Sequence, residues 1–166
     1  AESAQVFTGY KLPWKGGTYN YVTGSIGHVF TYKSCPNTCL YAFDFADGTM
    51  FGVYAARAGR VKYAEWRYPN GNTEHTNYLV LEDASTNPTT YQVYYHLAQN
   101  SIPSALRKPG AAVNQGQYLA NADDTGASTG HHLHFHVHTT PNAVWGTSVD
   151  IRFDDVVING GRPRTC

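Results

Sequence analysis

The chain has 166 residues, with twelve Lys plus Arg balanced by twelve Asp plus Glu, so its formal net charge is zero. That length fits one domain with a sizeable core, and the balanced charge argues against an electrostatic grip on nucleic acid or on an anionic membrane. Charged residues make up only 14%, Tyr alone numbers 13, and no apolar run is long enough to span a bilayer, which together favour an extracellular β protein with no membrane insertion.

Residues 1–20 are rich in Gly and aromatics and read as a loop or strap. The opening AESAQVF lacks the basic and apolar regions of an intact signal peptide and suits a mature end left after cleavage. Alternating, β-branched or aromatic runs then predict strands at 28–33, 41–46, 52–57, 60–66, 77–82, 90–97, 116–121, 132–138 and 149–153. PNGN at 69–72 and STNP at 85–88 are turn signals. A short helical turn is expected within 101–108, and the tail GGRPRTC reads as irregular. Many short strands with close turns predict a mainly antiparallel all-β domain. Cys35 and Cys39 enclose Pro-Asn-Thr, a spacing that suits a small disulfide loop in an oxidising compartment. The competing use is thiolate ligation of a metal. Cys166 makes the count odd, which leaves one thiol unpaired or paired outside this chain.

Five of the eight histidines fall within HHLHFHVH at 131–138. Side chains on a strand alternate faces. His132, His134, His136 and His138 therefore share one face, while His131, Leu133, Phe135 and Val137 share the other, which is expected to pack on the core. A row of imidazoles facing away from that core points to metal ligation or general acid–base work. Same-face neighbours stand roughly 6.5–7 Å apart, so two can address one small site. Spacing alone does not say which ring holds a metal and which reaches a water beside it. Asp44 in YAFDFAD and His96 in QVYYHL sit inside apolar strands, where a carboxylate is costly unless paired or metal-bound. Tyr63, Trp66, Tyr94 and Tyr95 are available to line a groove, although core packing explains most of them.

The order FDFADGTMFGVYAARAGRV, then YYHL, then Pro-Gly-x-x-Val-x-x-Gly-Gln, then TGASTGHHLHFHV resembles the lysostaphin/LytM-type zinc metallopeptidases, which cut peptide bonds of bacterial peptidoglycan. The resemblance runs from about Gly24 to Val137. It implies a lysostaphin-type fold, like that of the duplicated hybrid motif, in a single domain spanning 1–166 with a core at about 24–140. It implies one Zn2+ per chain, with Asp44 and His134 as ligands and His96 and His132 as catalytic histidines. The usual first ligand, a His four residues before the Asp, is Leu40 here. A variant pattern with an upstream His after a Gly/Ser-rich stretch assigns that role to His28. Cys35 or Cys39 as a thiolate is the competing ligand. His136 stands where many members carry Glu, and it and Tyr95 are assigned to support the ligands or line the groove. His75, His131 and His138 are read as non-catalytic. The implied protein is a secreted monomer, released from a longer precursor, acting on peptidoglycan peptides. A non-catalytic wall-binding or hydrolase-activating module on the same fold is the alternative.

Overall fold

The structure is a computed structural model that describes residues 5–25, 39–126 and 130–163. Among the described residues the strands are β1 (Val6–Tyr10), β2 (Tyr21–Gly24), β3 (Phe43–Ala46), β4 (Phe51–Tyr54), β5 (Gly59–Glu65), β6 (Asn77–Asp83), β7 (Thr90–Leu97), β8 (Ala112–Val113), β9 (Tyr118–Ala122), β10 (Leu133–His138) and β11 (Asp150–Phe153). The predicted antiparallel all-β architecture is what forms. One sheet runs in the order β2-β3-β10-β7-β6-β5-β8, with β9 joining β7 and β4 joining β9. All its pairings are antiparallel. A second, two-stranded sheet pairs β1 with β11 in parallel.

The strap is thus partly strand, since Val6–Tyr10 pairs, and Tyr21–Gly24 just beyond it forms a further strand that the sequence reading did not foresee. The predicted strand 28–33 lies outside the described residues. The turn at 69–72 closes with the Asn72 amide donating to the Pro69 carbonyl at 3.1 Å, and Gly71 supplies the positive φ of +82° such a turn uses. The only helical piece within 101–108 is a 3-10 turn at Ser104–Leu106.

The main sheet has two different faces. One carries Phe43, Phe45, Leu79, Leu81, Tyr94, Leu133, Phe135 and Val137, all essentially inaccessible. They pack against Val53, Leu119, Ala120, Ile151 and Phe153 from the smaller sheet and the β4–β9 pair. Ring geometry knits this core, with Phe43 edge-on to Phe153 at 5.3 Å and Trp14 edge-on to Phe45 at 4.9 Å. The other face carries Asp44, the β10 histidines, Tyr91, Val93 and Tyr95. It forms a second apolar cluster with Val80, Tyr63 and Tyr78, covered by Val144 and Trp145. The alternation of β10 therefore sorts imidazoles from apolar residues, but the imidazole face is no solvated surface. His134, His136 and His138 are at most 1% exposed.

β7 departs from regular alternation at one residue. Tyr78 opposes Tyr95 and Asn77 opposes Leu97, so His96 is the extra residue of a bulge. Its φ is +72°. Simple alternation would place His96 with Tyr94 on the core face. The left-handed backbone swings it to the opposite face, beside His132 and His134. A Cβ in this conformation costs on the order of 1–2 kcal/mol.

Two measurements test these features. Burial raises the Tyr10 phenol to about 12 and the fully buried Tyr94 phenol higher still. The unfolded chain loses these protons near its ordinary pKa of about 10. Stability should therefore be intact below that value and fall as pH rises through 12, by up to about 1.4 kcal/mol per pH unit for each phenol. Urea melts between those limits should show a shallower slope for Tyr10→Phe. For the bulge, His96→Gly should be more stable than His96→Ala by about 1 kcal/mol. That reverses the usual order in a strand, and an Ala variant equal or superior in thermal melts would remove the strain from this account.

Candidate metal centre and its histidines

The β3–β10 register sets Asp44 directly opposite His134, and the β10–β7 register sets His134 opposite Tyr95. Opposed residues point to one face. Asp44 Oδ1 lies 3.2 Å from His134 Nδ1 and 3.8 Å from His132 Nε2. The His96 and His132 rings lie 4.5 Å apart, and His96 is 6.4 Å from His134. Residues far apart in sequence thus converge, with Asp44 and all three rings largely buried.

Each ring is held by hydrogen bonds that orient it. His96 Nδ1 donates to the Thr125 carbonyl at 2.6 Å, and His132 Nδ1 donates to the Gly130 carbonyl at 3.2 Å. A carbonyl only accepts, so both rings carry hydrogen on Nδ1 and present Nε2 to the centre. Burial, reinforced by the neighbouring His132, lowers the His96 pKa to about 3, so the ring is neutral near pH 7. Gly126, at φ +87°, lets the Thr125 carbonyl approach, because a Cβ there would collide with Thr76 Oγ1 and come within 3.3 Å of His96 Nδ1.

His136 sits beneath this group, with Nδ1 2.8 Å from His134 Nε2 and Nε2 3.1 Å from the Gly146 carbonyl. Tyr95 walls the site, edge-on to His96 at 5.2 Å and to Trp145 at 4.9 Å. Trp145 escaped the sequence reading, yet its indole stacks on His134 at 4.7 Å with planes within 25°. Nothing in its local sequence, PNAVWGTS, marks it.

The remaining candidates lie elsewhere. His131 points away from the centre and pairs with the buried Asp123 carboxylate. With Asp124 they form a group whose ligand atoms lie within 4.8 Å of one another. Asp124 accepts the Gly71 amide at 2.9 Å, so this cluster also ties the 69–72 turn to the strand that precedes His132. His75 stacks on Tyr68 at the surface. Tyr94 is no groove residue, since its hydroxyl is engaged inside the core by Gln92 and the Ala56 amide. Trp66 lies against Arg67 and Arg107, while Tyr63 joins the imidazole-face cluster. His28 and Cys35 lie outside the described residues, and Cys39 is buried beside Ala42 and Trp145.

A buried carboxylate oxygen facing an imidazole nitrogen, with further imidazoles alongside, is a donor set that suits a divalent cation such as Zn2+. At this centre Asp44 and His134 are the pair that would hold it. The carboxylate and the ring confront each other at the distance two donors to one ion require.

Residues 40–146 match a family model described as Peptidase family M23. A zinc containing peptidase from Vibrio cholerae is 29% identical, with a TM-score of 0.55 over 77% of this chain and 36% of that one. This chain therefore spans about a third of that relative. A mutant catalytic domain of the prophage-encoded M23 protein EnpA from Enterococcus faecalis is 19% identical, with a TM-score of 0.58 over 84% of this chain and 94% of that one. The catalytic domain of the antimicrobial peptidase lysostaphin from Staphylococcus simulans is 22% identical, with a TM-score of 0.51 over 80% and 86%. The last two show the shared fold. No curated protein matches the chain. With the family model covering well over half of the sequence, the chain belongs to peptidase family M23.

Proposed function

We propose that this chain is a secreted zinc metalloendopeptidase that hydrolyses peptide bonds in bacterial peptidoglycan, within the cross-bridge or the stem peptide. The observation that carries this reading is the register placing Asp44 against His134, with His96 and His132 alongside and their Nε2 atoms turned inward. His28, Asp44 and His134 would hold one zinc ion. Bound zinc would supply Lewis-acid polarisation of the scissile carbonyl and make a water acidic enough to attack it.

The chain's own groups do the rest. His96 and His132 are anchored through Nδ1, so each offers Nε2 to a reacting proton. Between them they take a proton from the attacking water, steady the carbonyl oxygen as it gains charge, and return the proton to the leaving amine. Asp44 holds charge opposite His134. Tyr95 and Trp145 close one wall and keep bulk water off the ring stack. The zero formal net charge of the chain suits small uncharged peptide segments. In this reading the enzyme acts as a monomer in an oxidising extracellular setting, and a Cys35–Cys39 disulfide braces the segment that brings His28 to the centre.

The test is free-amine release from purified peptidoglycans of several cross-bridge types. Release should occur with the protein as isolated, stop after chelation and return with stoichiometric zinc. His134→Ala should lose zinc and activity together. His132→Ala should keep zinc and lose activity by about 10²-fold or more. Zinc retained by His134→Ala but lost by His132→Ala would reverse the assignment. Absence of release from every wall type would replace the enzyme with a binding module on the same fold.

A further inference from the structure

We propose that His136, clamped by the Val144–Trp145–Gly146 turn, is a positioning residue that fixes His134 in the tautomer presenting Nδ1 to Asp44. The inference rests on the reading of His134 as a metal ligand, and it follows from counting hydrogens around a closed set of rings.

The Thr140 amide donates to His138 Nδ1 at 3.1 Å, so that nitrogen carries a lone pair. His138 Nε2 must then carry the hydrogen, and it donates to the Val144 carbonyl at 3.2 Å. Two residues on, the Gly146 carbonyl faces His136 Nε2 at 3.1 Å and can only accept. His136 therefore holds its hydrogen on Nε2. The ring is wholly buried, which favours its neutral form, so Nδ1 is left as an acceptor. The atom 2.8 Å from that acceptor is His134 Nε2. It must donate, which leaves His134 Nδ1 with a lone pair aimed at Asp44 Oδ1, 3.2 Å away. Two acceptors confront each other there, an arrangement that a cation satisfies. A backbone carbonyl ten residues beyond His136 in sequence thus dictates which nitrogen the ligand offers.

His96 and His132 are set the opposite way. Their Nδ1 hydrogens go straight to carbonyls and they present Nε2. The difference lies in which nitrogen meets the acceptor: His134 turns Nε2 toward His136, so its Nδ1 is left facing Asp44. The turn is built for the task. Trp145 stacks on His134 and meets His136 edge-on at 4.5 Å. A Cβ at position 146 would lie 2.6 Å from His138 Nδ1 and 2.8 Å from Thr140 Oγ1, so only glycine lets the turn sit this close.

The test begins with nitrogen-15 NMR of the imidazoles in the unmodified, metal-free protein. His134, His136 and His138 should be Nε2–H tautomers, and His96 and His132 Nδ1–H tautomers. Zinc affinity is then measured for His136→Leu and His136→Gln. The Leu variant, which can neither accept from His134 nor donate to Gly146, should bind zinc about 10–100-fold more weakly. The Gln variant has an acceptor and a donor in one group and should recover most of that loss. An Nδ1–H tautomer at His134 in the unmodified protein would overturn the proposal without any variant having to fold. So would unchanged zinc affinity in His136→Leu. Correct tautomers in a chain that binds no zinc would instead overturn the metallopeptidase reading and leave the relay standing.

Discussion

The histidines of the imidazole face are buried, and the site depends on that constraint. A buried polar nitrogen without a partner costs about 1–3 kcal/mol. Five rings crowd the face, and most of their nitrogens must find protein partners. Four of those partners are backbone carbonyls, contributed by Thr125, Gly130, Val144 and Gly146, and the Thr140 amide, Asp44 and a ring-to-ring bond supply others. The loops around the centre are consequently pinned by the histidines as firmly as the histidines are aimed by the loops. A polar network of this kind is rigid when every member is satisfied and costly when one is missing. The apolar face of the same strands frees the network from any duty in the main core, because Leu133, Phe135 and Val137 hold β10 in place independently.

Strand alternation made much of this legible. The pattern of 132–138 separates ring face from core face, and the predicted strands at 77–82 and 90–97 coincide with β6 and β7 to within a residue. Asp44 and His96 stand out because polar groups in apolar strands need partners. What alternation cannot convey is register. Nothing local to Asp44 says that it opposes His134, and that pairing is what makes a donor pair of two isolated residues. Nor does periodicity foresee His96. A strict period of two assigns it to the core, and only a bulge with left-handed backbone at a residue other than glycine puts it on the working face. The short strands β1, β2 and β8 escaped for a simpler reason. They are two to five residues long, β1 and β2 contain glycine and β8 is a bare dipeptide, so they carry almost no periodic signal.

Position 136 illustrates how a departure from a family pattern can be read physically. A carboxylate there could accept from His134, but it has no hydrogen to give the Gly146 carbonyl. An imidazole does both, and it is neutral, which suits a residue with no exposed surface. The substitution is thus intelligible only together with the turn above it. Tyr94 makes the complementary point within one strand. It looks as suited to a groove as its neighbour Tyr95, yet its hydroxyl is spent on Gln92 and Ala56 while Tyr95 faces the centre.

The stacking of Trp145 on His134 also gives the molecule an optical handle. The chain has three tryptophans. Trp14 packs edge-on against Phe45 at the rim of the core, and Trp66 lies against two guanidinium groups. Trp145 alone among them has its π-face on the ring opposite Asp44. Charge gained or lost at that imidazole acts directly on the excited indole, whereas the other two fluorophores sit in surroundings that such an event leaves untouched. Emission from this one position is therefore an intrinsic reporter of what His134 holds, needing no attached dye and no substrate.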